Sequence, residues 1–115
     1  MNDENKLFFD EIIKILEKNN VDASTVKLMN KSEDYITLVN LKEYDILRFK
    51  LTDRTKWVTI MIPYKDRKKE IDNPLFKDQK NKKQIYWKAK LNSYMDINKY
   101  EQFIINAYNE IQKQQ

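Results

Sequence analysis

The sequence predicts an α+β domain in which an N-terminal and a C-terminal helix flank an antiparallel β-meander of four to five strands. Apolar residues recur with helical spacing near both ends of the chain, whereas between residues 35 and 91 they alternate with polar ones. The first connections between the alternating runs are short and polar, as in hairpins, whereas residues 63–84 form a long basic excursion that is expected to be mobile or partly helical. At 115 residues and 14.1 kDa the chain has the size of one domain, so residues 1–115 are assigned to a single unit.

The helices are predicted from one apolar stripe each. The first helix covers residues 4–19 with Asp3 as its N-cap, and its stripe consists of Phe8, Ile12, Ile15 and Leu16. The stripe of the last helix consists of Ile97, Tyr100, Ile104, Tyr108 and Ile111. Ser93 and Asp96 precede it with the spacing of a capping box. Both helices therefore present one apolar face, which we expect to pack on a sheet.

The strands are predicted from β-branched and aromatic residues with a period of two, over residues 26–29, 35–41, 44–51, 57–62 and 84–91. The chain contains no glycine, which disfavours two-residue hairpin loops and favours four-residue loops centred on Lys42-Glu43 and Asp53-Arg54. These loops predict the pairs Ile36–Phe49, Leu38–Leu47, Phe49–Val58 and Leu47–Ile60. A slip of one residue would place Arg48 and Lys50 in the core, so the register is well specified.

The opposite face of this sheet is predicted to be aromatic, hydroxylated and basic. Its members are Tyr35, Thr37, Arg48, Lys50, Trp57, Thr59 and Met61, joined by Tyr86, Lys88 and Lys90 if Ile85, Trp87, Ala89 and Leu91 point inward. At one end the same face carries Val39, Leu41, Tyr44 and Ile46. Apolar residues there indicate partial cover, for which a helix is the expected element.

The composition excludes several classes of enzyme. Without glycine the chain has no phosphate-binding P-loop and no dinucleotide-binding turn. Without cysteine or histidine it has no thiol nucleophile, no imidazole base and no zinc site of nitrogen and sulfur ligands. We therefore expect no catalysis, no cofactor and no resident metal. Asp66-Arg67-Lys68 and Asp78-Gln79-Lys80 match the D-x-K half of a magnesium-dependent nuclease signature, for which Asp45 or Asp53 is the candidate upstream carboxylate. Both triplets lie in a polar segment rather than on a strand, so a nuclease is only a third hypothesis.

The positive charge of the chain is concentrated in one stretch. Residues 65–90 contain ten Lys or Arg and four Asp or Glu, whereas the chain as a whole has a net charge of +4. Basic residues interleaved with aromatic ones suit nucleic acid, because the cations contact phosphates while the rings stack on bases. Asn73-Pro74 predicts a short helix over residues 75–82 within this stretch. The candidate binding residues are Arg48, Lys50, Arg54, Lys56, Trp57, Lys68, Lys69, Lys80, Lys82, Lys83, Tyr86, Lys88 and Lys90.

A second interpretation of these residues remains open. Lys, Asn and Ile make up 44 of the 115 residues, a composition typical of an AT-rich bacterial or phage genome. The lysines would then form an ordinary solvated surface, and the cluster around Arg48, Lys50 and Trp57 a structural cation–π contact.

The sequence thus leaves two main functions, besides the nuclease hypothesis. The first is a small non-catalytic binding module for nucleic acid or another polyanion. The alternative is a protein–protein adaptor or inhibitor, of phage or mobile-element origin, that uses the apolar end of the open sheet face near Val39, Leu41, Tyr44 and Ile46. No apolar run is long enough to span a bilayer and the N-terminus lacks a signal-peptide pattern, so we expect a cytoplasmic protein without a membrane partner. The oligomeric state is left open.

Overall fold

The computed structural model describes residues 2–67 and 85–113 and shows two helices and a five-stranded antiparallel sheet. The elements are α1 (Asp3–Lys18), β1 (Val26–Met29), β2 (Ile36–Asn40), β3 (Asp45–Leu51), β4 (Lys56–Met61), β5 (Tyr86–Lys90) and α2 (Glu101–Lys113). Short 3-10 segments cover Ala23–Thr25, Tyr64–Asp66 and Tyr94–Tyr100. The strands lie side by side in chain order, so the predicted α+β meander is confirmed. The helix expected over residues 75–82 lies outside the described residues.

Helix α1 has a defined cap at each end. Asn2, one residue before the predicted cap, accepts a hydrogen bond from the Asn5 amide at 2.7 Å. At the other end, Asn20 has the left-handed φ of 62° that glycine usually supplies. The Val21 amide then donates to the carbonyl of Leu16 at 2.9 Å, which completes a Schellman motif. Asparagine tolerates this conformation better than most residues, which suits a chain without glycine.

The turn between β2 and β3 has a second left-handed residue, Glu43, with a φ of 67°. The Glu43 amide donates to the Asn40 carbonyl at 2.9 Å, and the Asn40 side chain accepts from the amides of Lys42 and Tyr44. Beyond this turn the β2–β3 register shifts, so that Val39 lies opposite Asp45. Ile46 is the extra residue of this bulge, so the alternation of side chains between the two faces of the sheet is interrupted there.

The predicted register of the central strands is confirmed. The four pairs Ile36–Phe49, Leu38–Leu47, Phe49–Val58 and Leu47–Ile60 are all present. The side chains of these pairs are fully buried except that of Ile36, which packs at the margin of the core. Helix α1 packs on this face through Phe8, whose ring centroid lies 4.4 Å from that of Phe49. The core therefore lies on one side of the sheet, and the opposite side carries the polar and aromatic residues.

The two helices are joined to each other by polar contacts. The Glu101 carboxylate accepts hydrogen bonds from Lys18 at 3.1 Å and from Asn19 at 3.2 Å, which joins the end of α1 to the start of α2. The capping box predicted for Ser93 and Asp96 is present, and it begins the 3-10 segment that leads into α2. All five residues of the predicted C-terminal stripe are buried.

Candidate nucleic-acid interface

The strand register arranges the open face of the sheet in rows that run across the strands. One row contains Lys50, Trp57 and Lys90, because Trp57 on β4 is paired with Lys50 on β3 and with Lys90 on β5. The next row contains Thr37, Arg48, Thr59 and Lys88. Beyond these two rows, Val39 is paired with Asp45 and Met61 with Tyr86. Neighbouring strands in a sheet are about 4.8 Å apart, so the side chains of each row lie within reach of one another.

We call Tyr35, Lys50, Trp57 and Lys90 the aromatic–lysine row. Tyr35, which precedes the first paired residue of β2, leans towards Trp57, with 6.0 Å between ring centroids and 59° between planes. Lys88 from the next row lies over the Trp57 ring, with its Nζ 5.6 Å from the centroid. Within residues 2–67 and 85–113, neither Lys50 nor Lys90 forms an ion pair with a carboxylate. The partly exposed indole of Trp57 therefore lies between Lys50 and Lys90, two lysines without a carboxylate partner in the part of the chain that the structure describes.

We call Lys31, Asp45, Arg48 and Tyr86 the Asp45 cluster. Arg48 donates to Asp45 Oδ2 through Nη2 at 3.0 Å and through Nε at 3.3 Å, and Lys31 donates to Asp45 Oδ1 at 2.6 Å. The Tyr86 hydroxyl lies 3.4 Å from the same carboxylate. The guanidinium of Arg48 lies over the Tyr86 ring at 4.4 Å. One carboxylate thus binds two cations, and one of those cations covers an aromatic face.

The electrostatics of the Asp45 cluster favour its ionised form. Partial burial opposes ionisation of Asp45, but the hydrogen bonds and charges of Lys31 and Arg48 outweigh it and lower the pKa of the carboxyl. Burial raises the pKa of the Tyr86 phenol, and the charge of Asp45 adds to this effect while Arg48 opposes it. The phenol therefore remains a neutral hydrogen-bond donor at physiological pH. Both cations of the cluster, Lys31 and Arg48, are paired with its one carboxylate, Asp45.

The structure places some of the sequence-predicted binding residues away from this face. Lys56 lies on the helix-covered side, where it forms an ion pair with Glu4 of α1. Arg54 is exposed in the β3–β4 turn. Tyr86 lies on the open face, but Arg48 covers its ring. Lys68, Lys69, Lys80, Lys82 and Lys83 lie outside the described residues. The structure therefore brings together Lys50, Trp57, Lys88 and Lys90, with Arg48 beside them.

The apolar end of the open face differs from the prediction. Ile46 and Val39, both expected on this face, are buried, and Ile46 belongs to the hydrophobic core cluster and lies at the β2–β3 bulge. The prediction that these two residues form an accessible contact surface is therefore wrong. Lys31 reaches Asp45 from one side, and Arg67 contacts the Met61 sulfur at 3.1 Å from the other.

Beside this end lies a groove that the sequence analysis did not identify. Its volume is about 560 Å³, and its lining includes Tyr44, Asp45, Met61, Tyr64, Arg67 and Ile85. We call it the end groove. Antiparallel pairing of Met61 with Tyr86 brings the residues after β4 next to the residue before β5, which is why Tyr64 and Ile85 line the same groove. Ile85 was predicted to point inward, but it precedes the strand and is 47% exposed. The pairing of the two strands is the signal that would have revealed this groove.

The described residues do not support the nuclease hypothesis. Asp66 lies in the 3-10 segment Tyr64–Asp66 rather than on a strand, and Lys68 is outside the described part of the chain. Among residues 2–67 and 85–113, no group of three carboxylates is placed to hold a metal ion. In the same residues, neither helix has the length and apolar character needed to cross a bilayer.

Comparison with known protein families, with curated proteins and with solved structures found no match to this chain. Function must therefore be argued from the surface itself.

Proposed function

We propose that the chain is a non-catalytic binding module for a polyanion, and that single-stranded nucleic acid is the ligand that suits its surface best. The observation that carries the proposal is the position of Trp57, flanked across the strands by Lys50 and Lys90 and approached by Lys88. An indole face stacks on any base, while lysines beside it neutralise the phosphates on either side of that base.

The preference for a single strand follows from the same geometry. Stacking on Trp57 requires a base whose face is accessible, and in a duplex both faces are covered by neighbouring base pairs. The open side of an antiparallel sheet offers a broad surface across which an extended chain can lie. Tyr35 lies beside Trp57 and provides a second aromatic surface, tilted towards the first.

The Asp45 cluster is not expected to be part of the surface that binds the nucleic acid. Arg48 lies in the neighbouring row, but its charge is bound to Asp45 and its guanidinium lies against Tyr86. Displacing these contacts would expose a partly buried carboxylate, which repels phosphates. Binding is therefore expected to depend on Lys50, Lys88 and Lys90 more than on Arg48.

The experiment is a titration of the Trp87→Phe variant, in which Trp57 is the only tryptophan, with a thymidine dodecamer, with a duplex of equal length and with polyphosphate. Trp87 packs against Phe103 beneath the helices, so the substitution leaves the open face intact. We expect Trp57 fluorescence to be quenched by the single strand, and affinity to fall steeply with salt. The duplex is expected to bind more weakly. Binding of polyphosphate with equal affinity would assign the face to polyanions in general.

The charge dependence is tested with a double variant and a matched control. Lys50→Glu with Lys90→Glu is expected to abolish binding at low salt, and milder Lys→Gln changes to reduce the salt slope by about 0.7 for each lost phosphate contact. Lys6→Glu with Lys14→Glu changes net charge equally on α1, on the far side of the sheet, and is expected to retain binding. No binding by the Trp87→Phe protein at low salt, or equal losses in both double variants, would refute the proposal.

A further inference from the structure

The end groove is a second surface with the composition of a binding site. Tyr44 is 42% exposed, Tyr64 57% and Ile85 47%, and Leu41 in the same turn as Tyr44 is 62% exposed. Among the described residues these are four of the six large apolar side chains that are exposed. Clustering of this kind marks an interaction site more often than scattered exposure does. Tyrosine and arginine are also the residues most enriched at the energetic centres of protein interfaces.

The charges in the groove are unequally compensated. Its two carboxylates have cationic neighbours, since Asp45 binds Lys31 at 2.6 Å and Glu43 lies 3.9 Å from Lys27. Arg67 forms no ion pair with any carboxylate in residues 2–67 and 85–113. The groove therefore contains one cation that lacks a counter-ion among these residues.

The guanidinium of Arg67 is also held in place. Its Nε donates to the Ile62 carbonyl at 2.7 Å, its Nη2 lies 3.1 Å from the Met61 sulfur, and its plane lies over the Tyr64 ring at 4.1 Å from the centroid. A fixed planar cation with remaining N–H donors is suited to a carboxylate, which it binds through charge-assisted hydrogen bonds. An arginine on a loop with no such contacts would have to be ordered by the ligand.

We infer that the end groove binds a segment of a protein partner in which an acidic residue lies beside a large apolar residue. The carboxylate would bind Arg67, and the apolar side chain would pack against Ile85 and the rings of Tyr44 and Tyr64. The groove's volume is in the range of clefts that hold small ligands or a few side chains. A nucleic acid suits it less, because Glu43 and Asp45 also line the groove and repel a chain of phosphates.

This inference does not rest on the proposed function of the open face. Arg67 and Tyr64 come from the segment after β4, whereas Lys50 and Lys90 lie on the strands themselves. Substitutions in the groove are therefore expected to leave the binding of the thymidine dodecamer unchanged, and substitutions in the aromatic–lysine row to leave peptide binding unchanged. The proposals for the two surfaces can therefore be refuted independently of each other.

The test is selection of a phage-displayed random dodecapeptide library on the full chain, with counter-selection against the Arg67→Gln variant. We expect the enriched peptides to carry Asp or Glu next to Leu, Ile or Phe. Synthetic versions are expected to bind Arg67→Gln about 10- to 100-fold more weakly, the loss typical of a hydrogen bond to a charged group, and Arg67→Lys to an intermediate degree. Lys65→Gln removes one charge from the same turn but does not line the groove, and is expected to bind as the parent does.

Circular dichroism and thermal unfolding of each variant separate loss of binding from loss of fold, and Tyr64→Ser provides a second groove variant if Arg67→Gln unfolds. The inference is overturned if no peptide is enriched, if the enriched peptides are basic, or if their affinity is the same for Arg67→Gln and the parent. Concentration-dependent dimerisation that is lost in Arg67→Gln would assign the groove to a second copy of the chain and would also overturn it.

Discussion

The aromatic–lysine row and the Asp45 cluster are neighbours on one sheet face and contain similar residue types, yet their ion pairing differs. Both place a cation beside an aromatic ring, Lys88 over Trp57 in one case and Arg48 over Tyr86 in the other. Only the cluster contains a carboxylate, and Asp45 binds both of its cations. A single acidic residue thus ties the two cations of the cluster into the protein's own structure, whereas Lys50 and Lys90 of the row have no carboxylate partner among residues 2–67 and 85–113.

The largest difference between the two regions is expected in ligand affinity. Trp57→Leu should weaken binding of the thymidine dodecamer by about 1–3 kcal/mol for each base that stacks on the indole, which is up to about 100-fold. Tyr86→Leu should change it little, because Arg48 already covers that ring. Anisotropy of a labelled oligonucleotide measures both variants without relying on tryptophan emission. Equal losses in the two variants would show that the face binds as one surface and that the division drawn above is wrong.

The next difference is expected in the dependence of stability on pH. The pKa of Asp45 is lowered in the folded state, so its contribution is complete above the ordinary aspartate pKa of about 3.9 and is lost as the pH falls through the lower folded value. At neutral pH, Asp45→Asn should reduce the free energy of unfolding by about 1–2 kcal/mol. At acidic pH the two proteins should converge.

Urea unfolding from pH 7 to pH 2 measures this convergence. The other carboxyls with lowered pKa values, Asp22, Asp96 and Glu101, are present in both proteins and cancel in the difference. Lys50→Gln from the aromatic–lysine row is the control, and its unfolding curve should follow that of the parent at every pH. Parallel curves for Asp45→Asn and the parent would mean that Asp45 is not a structural ion-pair partner.

The smallest effect is expected at Thr37, which lies between the two regions and beside Arg48. Its hydroxyl is buried and has no hydrogen-bond partner among residues 2–67 and 85–113, so Thr37→Val should change the free energy of unfolding by less than about 0.5 kcal/mol or raise it slightly. Thr25→Val is the matched control. The Thr25 hydroxyl donates to the Asp22 carbonyl at 2.6 Å and lies 2.7 Å from the Tyr108 hydroxyl, so its loss should cost about 1 kcal/mol. A clear destabilisation by Thr37→Val would reveal a partner for its hydroxyl.

The fold could be predicted from the sequence because its signals are local and agree with one another. Alternation along β3 gives Leu47 and Phe49 one face and Arg48 and Lys50 the other, and short loops fix the pairing. The same alternation would have placed Lys56 with Val58 and Ile60 on the helix-covered side. Its inclusion among the binding residues followed from proximity in sequence rather than from facing.

The details of the site were harder to predict because they depend on contacts across the chain. Ile46 is buried and lies at a bulge close to Glu43, and the left-handed conformation of Glu43 could not be predicted because no glycine marks the position. Asp45 was considered only as a metal ligand, since its contact with Lys31 requires the β1–β2 loop to approach the open face. The end groove combines Tyr44, Tyr64 and Ile85 from three separate segments. These features arise from tertiary packing and carry little periodic signal.

The order of the strands has a consequence for how the binding surface forms. Strands β2 and β3 are joined by four residues, 41–44, whereas β4 and β5 are separated by the 24 residues 62–85. Since each doubling of loop length adds about 0.6 kcal/mol of closure entropy, chain length alone makes the last pairing about 1.5 kcal/mol more costly than the first hairpin. Strand β5 contributes Lys88 and Lys90. The surface is therefore completed by the entropically most expensive step in assembling the sheet, which links its presence to the folding of the whole domain.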